Sequence, residues 1–130
     1  MDKERFEKGL AARSDVLGAE YVKNTLENAD DFTRGFQEYV TECCWGEIWG
    51  NEDLSRRDRS LLNLGMTAAL GRMEEFELHF RGSFKNGVTK EELRATLMQI
   101  AVYCGIPAGV SSFRIAKKVL AEMDAEEKQA

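Results

Sequence analysis

The chain has 130 residues, 43% of them hydrophobic and 32% charged, which is the size and balance of one globular domain with one core. Eighteen basic residues against 23 acidic ones leave a net charge of −5. The only basic cluster, Arg56, Arg57 and Arg59, is too small for a nucleic-acid or anionic-membrane face. No charged-then-apolar leader opens the sequence and no apolar run approaches the roughly 20 residues of a membrane span, so a cytoplasmic protein is expected. Cys43, Cys44 and Cys104 form neither a disulfide framework nor a CxxC motif, and no metal site is expected.

Helical spacing of apolar residues recurs along the chain, and no segment alternates as a strand would. The pattern predicts an all-α fold of six or seven helices, a single domain over residues 1–130. Phe6 and Leu10 mark the first helix, which Gly18 can end. Asp30 and Asp31 can cap a long helix carrying the stripe Phe32, Phe36, Tyr39, Val40 and Cys43, with Gly50 and Asn51 stopping it. Ser55 with Asp58 has capping-box spacing and opens the next helix. Its segment from Leu61 to Leu70 is apolar almost all round, with Gly65, Ala68 and Ala69 permitting close approach. Such a helix is expected either buried centrally or in a contact between subunits. The stripe Met73, Phe76, Phe80 and Phe84 reads as core, and Asn86-Gly87 as a left-handed C-cap. Thr89 with Glu92 is a second capping box, opening a helix with Leu93, Leu97, Ile100 and Cys104 on its core face. Gly105-Ile106-Pro107 breaks the chain before a last helix from about Ala108 to Met123, and the polar tail 124–130 is expected to fray.

Two residues stand out as acid–base candidates. His79, the single histidine, borders the apolar stripe of its helix. It reads either as a partly buried histidine with its own hydrogen bonds or as a proton donor or acceptor at a pocket edge. Glu47 lies between the indoles of Trp45-Gly46-Glu47-Ile48-Trp49, near a helix C-terminus whose dipole does not favour a carboxylate. Indoles that displace water from it would suit it to proton shuttling, whereas indoles packed in the core would leave it in solvent. Arg56, Arg57 and Arg59 begin a helix, and one of them could grip a substrate carboxylate, although a solvated surface or an intersubunit ion pair is the commoner fate of such groups.

Four pieces of sequence give a more specific reading: Trp45-Gly46-Glu47-Ile48-Trp49; Arg57-x-Arg59-Ser60-Leu61; Glu77-Leu78-His79 with Asn86-Gly87-Val88-Thr89; and Tyr103-Cys104-Gly105-Ile106-Pro107. Together with the stretch from Arg5 to Gly18, they resemble the carboxymuconolactone decarboxylase family, in particular its γ-carboxymuconolactone decarboxylase branch. The resemblance implies an alkylhydroperoxidase-like all-α subunit that assembles into a ring-shaped homo-oligomer, a hexamer or trimer, with sites near subunit contacts. It also implies cofactor-free decarboxylation of γ-carboxymuconolactone to β-ketoadipate enol-lactone in the β-ketoadipate pathway of aromatic degradation. Glu47 and His79 would be catalytic, and Trp45, Trp49, Arg57, Arg59 and Arg114 would bind a small lactone or carboxylate substrate.

The chain departs from that branch at Phe113-Arg114, where relatives often carry histidine after the phenylalanine. Arginine is no acid–base group near neutrality, so Arg114 either binds an anion or marks a changed substrate. The wider superfamily's thiol peroxidases place a CxxC pair where this chain has Arg72 and Glu75, so peroxidase chemistry lacks its nucleophile and its resolving thiol. The remaining alternatives are a related cofactor-free reaction on another lactone or carboxylic acid, and a non-catalytic oligomer.

Overall fold

A computed structural model describes residues 1–129. They form seven helices: α1 (Lys3–Leu17), α2 (Ala19–Glu27), α3 (Arg34–Tyr39), which continues as a π-helical segment (Val40–Ile48), α4 (Arg56–Leu70), α5 (Met73–Lys85), α6 (Lys90–Cys104) and α7 (Ile106–Gln129). There is no strand among the described residues, as the absence of alternation predicts. The chain divides into two compact units, residues 1–59 and the residues from Ser60 onward.

In the first unit, Asp2 caps α1 by accepting from the Arg5 backbone N–H at 3.1 Å. Gly18, at φ +102°, ends α1 as expected and lets α2 start directly behind it. The core consists of Ala12 and Val16 of α1 against Trp45 and Trp49, flanked by Leu17 and Val40. This packing is unusually close. A Cβ on Gly9 would collide with the Thr41 carbonyl oxygen, and one on Gly46 with the Arg5 carbonyl oxygen, so these glycines set the distance between α1 and the π segment.

The long tryptophan helix differs from expectation at its start. Asp30 does not cap it; its carboxylate accepts from the backbone of Phe32 and Thr33 and closes a turn, and the helix begins at Arg34. Phe32, Phe36 and Tyr39 are exposed, because α3 lasts only six residues and burial begins where the helix rewinds at Val40. Of the expected stripe, only Val40 and Cys43 are partly buried, and both lie where the helical period has changed.

In the second unit, Leu64 and Ala68 of α4, Phe76 and Phe80 of α5, Val88 of the connection before α6, Leu93, Leu97 and Ile100 of α6, and Ala116 and Val119 of α7 form one core. Phe76 and Phe80 of α5 and Leu93, Leu97 and Ile100 of α6 are buried as predicted. Thr89 and Glu92 form the full reciprocal capping box, and Gly87 is left-handed at φ +89°. Gly109 lets α7 approach α6, since a Cβ there would lie 2.6 Å from that of Ala101.

Three expectations are corrected here. α4 is not buried all round: Leu62, Met66 and Leu70 are exposed while Leu64 and Ala68 are buried, because only one face meets α5 to α7 in the chain alone. Cys104, expected in the core, is exposed at the last turn of α6, one helical turn beyond the buried Ile100. The polar stretch expected to fray continues α7 through Gln129, and the helix begins at Ile106 with Pro107 in its first turn, where a missing N–H costs nothing. Ala130, part of that tail, lies outside the described residues.

Candidate functional site

The candidate residues of the first unit gather around the π segment. A π-helix hydrogen-bonds i to i+5, so side chains five apart come to one face, which an α-helix would turn away from each other. Glu42 and Glu47 are five apart, and both lie against Arg5: its Nη1 is 3.9 Å from Glu42 Oε1 and 3.7 Å from Glu47 Oε2. Glu42 is the more covered carboxylate and also accepts from the Asp2 backbone N–H at 3.0 Å.

The Glu47 side chain is 61% exposed, so the indoles do not desolvate it. Trp45 and Trp49 point instead into the core, stacked on each other with centroids 4.7 Å apart and planes at 22°. The second of the two sequence readings, core indoles and a solvated carboxylate, is the one observed. Glu47 lines an open cavity of about 360 Å³ with Asp2, Glu4, Arg5, Lys8 and Asn51. Trp49 borders a second one with Lys8, Glu52, Ser55 and Arg56, whereas Trp45 lines neither.

The arginine group has distinct environments. Arg56 pairs with Asp15 at 3.2 Å, and Arg57 reaches Asp58 at 3.6 Å. Arg59 donates from Nη2 to the Asn51 carbonyl and side-chain oxygens at 3.2 and 3.3 Å, tying α4 to the loop after the tryptophan motif. Its buried Nε has no hydrogen-bond partner among the described residues. Arg13, which sequence reasoning passed over, is a buried guanidinium donating to Thr41 Oγ1 at 3.1 Å. Burial pulls its pKa below the usual arginine value, while Tyr21 and Cys44 oppose the shift.

In the second unit, His79 is half-buried in the middle of α5, and its Nε2 lies 3.3 Å from Asn63 Nδ2 of α4. With the amide nitrogen donating, Nε2 accepts and the ring proton resides on Nδ1. Burial lowers the His79 pKa, and the charge of Glu75 one turn earlier partly offsets this. The ring is therefore a neutral imidazole at pH 7. Asn63 had a signal in the sequence, as a polar side chain amid an otherwise apolar run, but its pairing with His79 sixteen residues away did not. Arg114 is exposed on α7, beside an open groove lined by Ala101, Ile106, Gly109, Val110, Phe113 and Lys117. No group of three or more His, Cys, Asp or Glu side chains able to hold a metal occurs among the described residues.

Comparison with known proteins gives these residues a context. The model of the carboxymuconolactone decarboxylase family matches residues 34–118. The chain is 38% identical over 122 residues to a 4-carboxymuconolactone decarboxylase of Acinetobacter baylyi, covering 94% of this chain and 91% of the relative. It is 43% identical over 118 residues to nitrosuccinic acid decarboxylase npaB of Metarhizium robertsii, covering 91% and 82%. A 15.0 kDa protein of Paracoccus denitrificans is 32% identical over 89 residues, 67% of this chain and 66% of that protein. The resemblance first carried by the tryptophan motif, His79 and the Asn-Gly turn thus extends over nearly the whole sequence: the chain belongs to the carboxymuconolactone decarboxylase family.

Proposed function

We propose that the protein is a cofactor-free carboxy-lyase that decarboxylates γ-carboxymuconolactone to β-ketoadipate enol-lactone in aromatic degradation. The carrying observation is similarity to a 4-carboxymuconolactone decarboxylase over 94% of the chain. Both units act as one functional domain over residues 1–130, in a cytoplasmic homo-oligomer, a hexamer or trimer. No helix among the described residues is long and apolar enough to cross a membrane.

The substrate, 2-carboxy-5-oxo-2,5-dihydrofuran-2-acetate, contains its own electron sink. As the ring carboxylate departs as CO2, its bonding electrons move through the ring double bond to the lactone carbonyl oxygen. A proton then adds at the ring carbon next to that carbonyl. The protein has to hold the leaving carboxylate away from water, stabilise the dienolate oxygen and supply the proton. Glu47 and His79 share the last two tasks. His79 acts as a neutral imidazole and so places no buried cation beside the dienolate, and the solvent exposure of Glu47 lets it be recharged with protons from water. Arg57 or Arg59 grips a substrate carboxylate; the unsatisfied Nε of Arg59 supports its part, and Trp49 lines the neighbouring cavity. Trp45 contributes through its stack on Trp49, and Arg114 meets a second carboxylate.

A second reading, the same machinery on another acid, is favoured by the 43% identity to the nitrosuccinic acid decarboxylase and by Arg114. There the sink is a nitro group on the carbon that loses CO2, so the electron flow is equivalent. The test is to generate γ-carboxymuconolactone in situ, add the protein, and follow CO2 and enol-lactone together, with nitrosuccinate in parallel. Stoichiometric enol-lactone that falls at least 100-fold in Glu47→Gln or His79→Asn upholds the first reading. Turnover of nitrosuccinate alone selects the second, and wild-type rates in both variants would refute the roles of Glu47 and His79.

A further inference from the structure

The second unit contains a cavity that none of the catalytic candidates lines. It measures about 250 Å³ and lies between α6 and α7 over Phe80 of α5. Its walls are apolar: Phe80, Leu93, Leu97, Phe113, Ala116 and Leu120. The first three and Ala116 belong to the core, so the floor is fixed by packing and does not depend on mobile side chains. At its rim stand three cations, Lys90 and Arg94 of α6 and Lys117 of α7. None of the three makes an ion pair or a side-chain hydrogen bond among the described residues, although the chain as a whole is acidic and its neighbours Arg81 and Lys118 are paired with Glu122 and Glu77. Three unpaired cations converging on an apolar pocket favour a ligand with one anionic end and an apolar body.

Size narrows the class. A cavity of about 150 Å³ accepts benzene, so about 250 Å³ accommodates one aromatic ring with a short side chain. The dicarboxylate lactone and nitrosuccinate proposed above each carry two carboxylates and would leave one of them against Phe80 and Leu97 without a partner, at the cost of its desolvation. The pocket thus suits a different molecule from the reacting acid.

We infer that the α6–α7 cavity of the second unit is a binding site for an aromatic monocarboxylate, whose ring enters between Phe80, Leu97 and Phe113 and whose carboxylate is held by Lys90, Arg94 and Lys117. The three cations share one carboxylate: Arg94 offers the planar bidentate donor, and the two lysines contribute field. Such a ligand competes with no residue assigned to the reaction, and its binding stands or falls independently of the proposed activity.

The experiment is calorimetric and NMR titration of the purified protein with 3-phenylpropanoate, alongside the uncharged 3-phenylpropanol. A Kd of about 1 mM or tighter is expected from the size of the ligand. The alcohol should bind at least 10-fold more weakly, and Arg94→Gln combined with Lys117→Gln should weaken the carboxylate by a similar factor. Leu120→Trp, which fills the mouth of the cavity from a partly exposed position, should abolish binding while leaving the helical circular dichroism unchanged. Equal affinity for acid and alcohol, or acid binding that survives Leu120→Trp, would overturn the assignment. So would absence of binding together with a fall in oligomeric mass in the Arg94→Gln, Lys117→Gln protein, since the cavity would then be a contact between copies.

Discussion

His79 joins burial to chemistry in one side chain. Burial holds its pKa below the ordinary 6.5, so the unfolded chain binds the proton more readily than the folded one. Stability contributed by keeping this ring neutral is complete above the unfolded value and declines as pH falls from about 6.5 through the folded pKa. Chemical denaturation of the wild type should show that decline, and His79→Asn, which stays neutral, should flatten it between pH 7 and pH 5. An unchanged slope in the variant would assign the acid sensitivity to other groups. Asn63 belongs to the same argument: Asn63→Leu removes the donor to Nε2 and should reduce turnover by 10-fold or more with little change in substrate affinity, because it acts through the imidazole. Arg5 is the equivalent neighbour on the other candidate. Replacing it by Met should lower turnover, as it removes the cation that lies against both Glu42 and Glu47.

At the scale of the elements, the glycines between α1 and the π segment are the most consequential residues in the first unit. Gly9→Ala forces a methyl group into the Thr41 carbonyl oxygen, and neither backbone can move alone because both helices bury Trp45 and Trp49 between them. The expected loss is about 1–3 kcal/mol or more, measured by urea unfolding, against a near-neutral Gly35→Ala, whose Cβ would meet open space. Thr89→Ala tests the capping box of α6 and should cost about 1 kcal/mol. The glycine at 9 was readable only as a small residue in an amphipathic helix. What it touches depends on a π register thirty residues later, which no local spacing announced.

For the whole molecule, the exposed apolar residues are the main observation. Leu62, Met66 and Leu70 lie along one side of α4, and Met98, Val102 and Tyr103 along α6, all open in the isolated chain. Surfaces of this kind are commonly covered by another chain. Leu62→Lys with Met66→Lys should therefore lower the mass measured by light scattering without unfolding the subunit, whereas unchanged mass would place the subunit contact elsewhere. The all-round apolar character of the segment from Leu61 to Leu70 had suggested either central burial or an interface, and the single chain removes the first.

The amino-acid sequence by itself determined the helical class, most helix ends, the core stripes of α5 and α6 and the family. Each of these depends on interactions within a few residues or on spacing along one helix: a capping hydroxyl three residues from its amide, a glycine at positive φ, apolar residues one turn apart. Tertiary structure alone decided that the indoles of Trp45 and Trp49 face the core while Glu47 faces water, that Arg5 lies against Glu42 and Glu47, that Asn63 meets His79, and that α7 continues to Gln129. These outcomes depend on which helix arrives opposite each face. The π segment shows the reason most clearly: close packing against Gly9 and Gly46 accompanies a wider helical repeat, and that repeat sets which side chains share a surface.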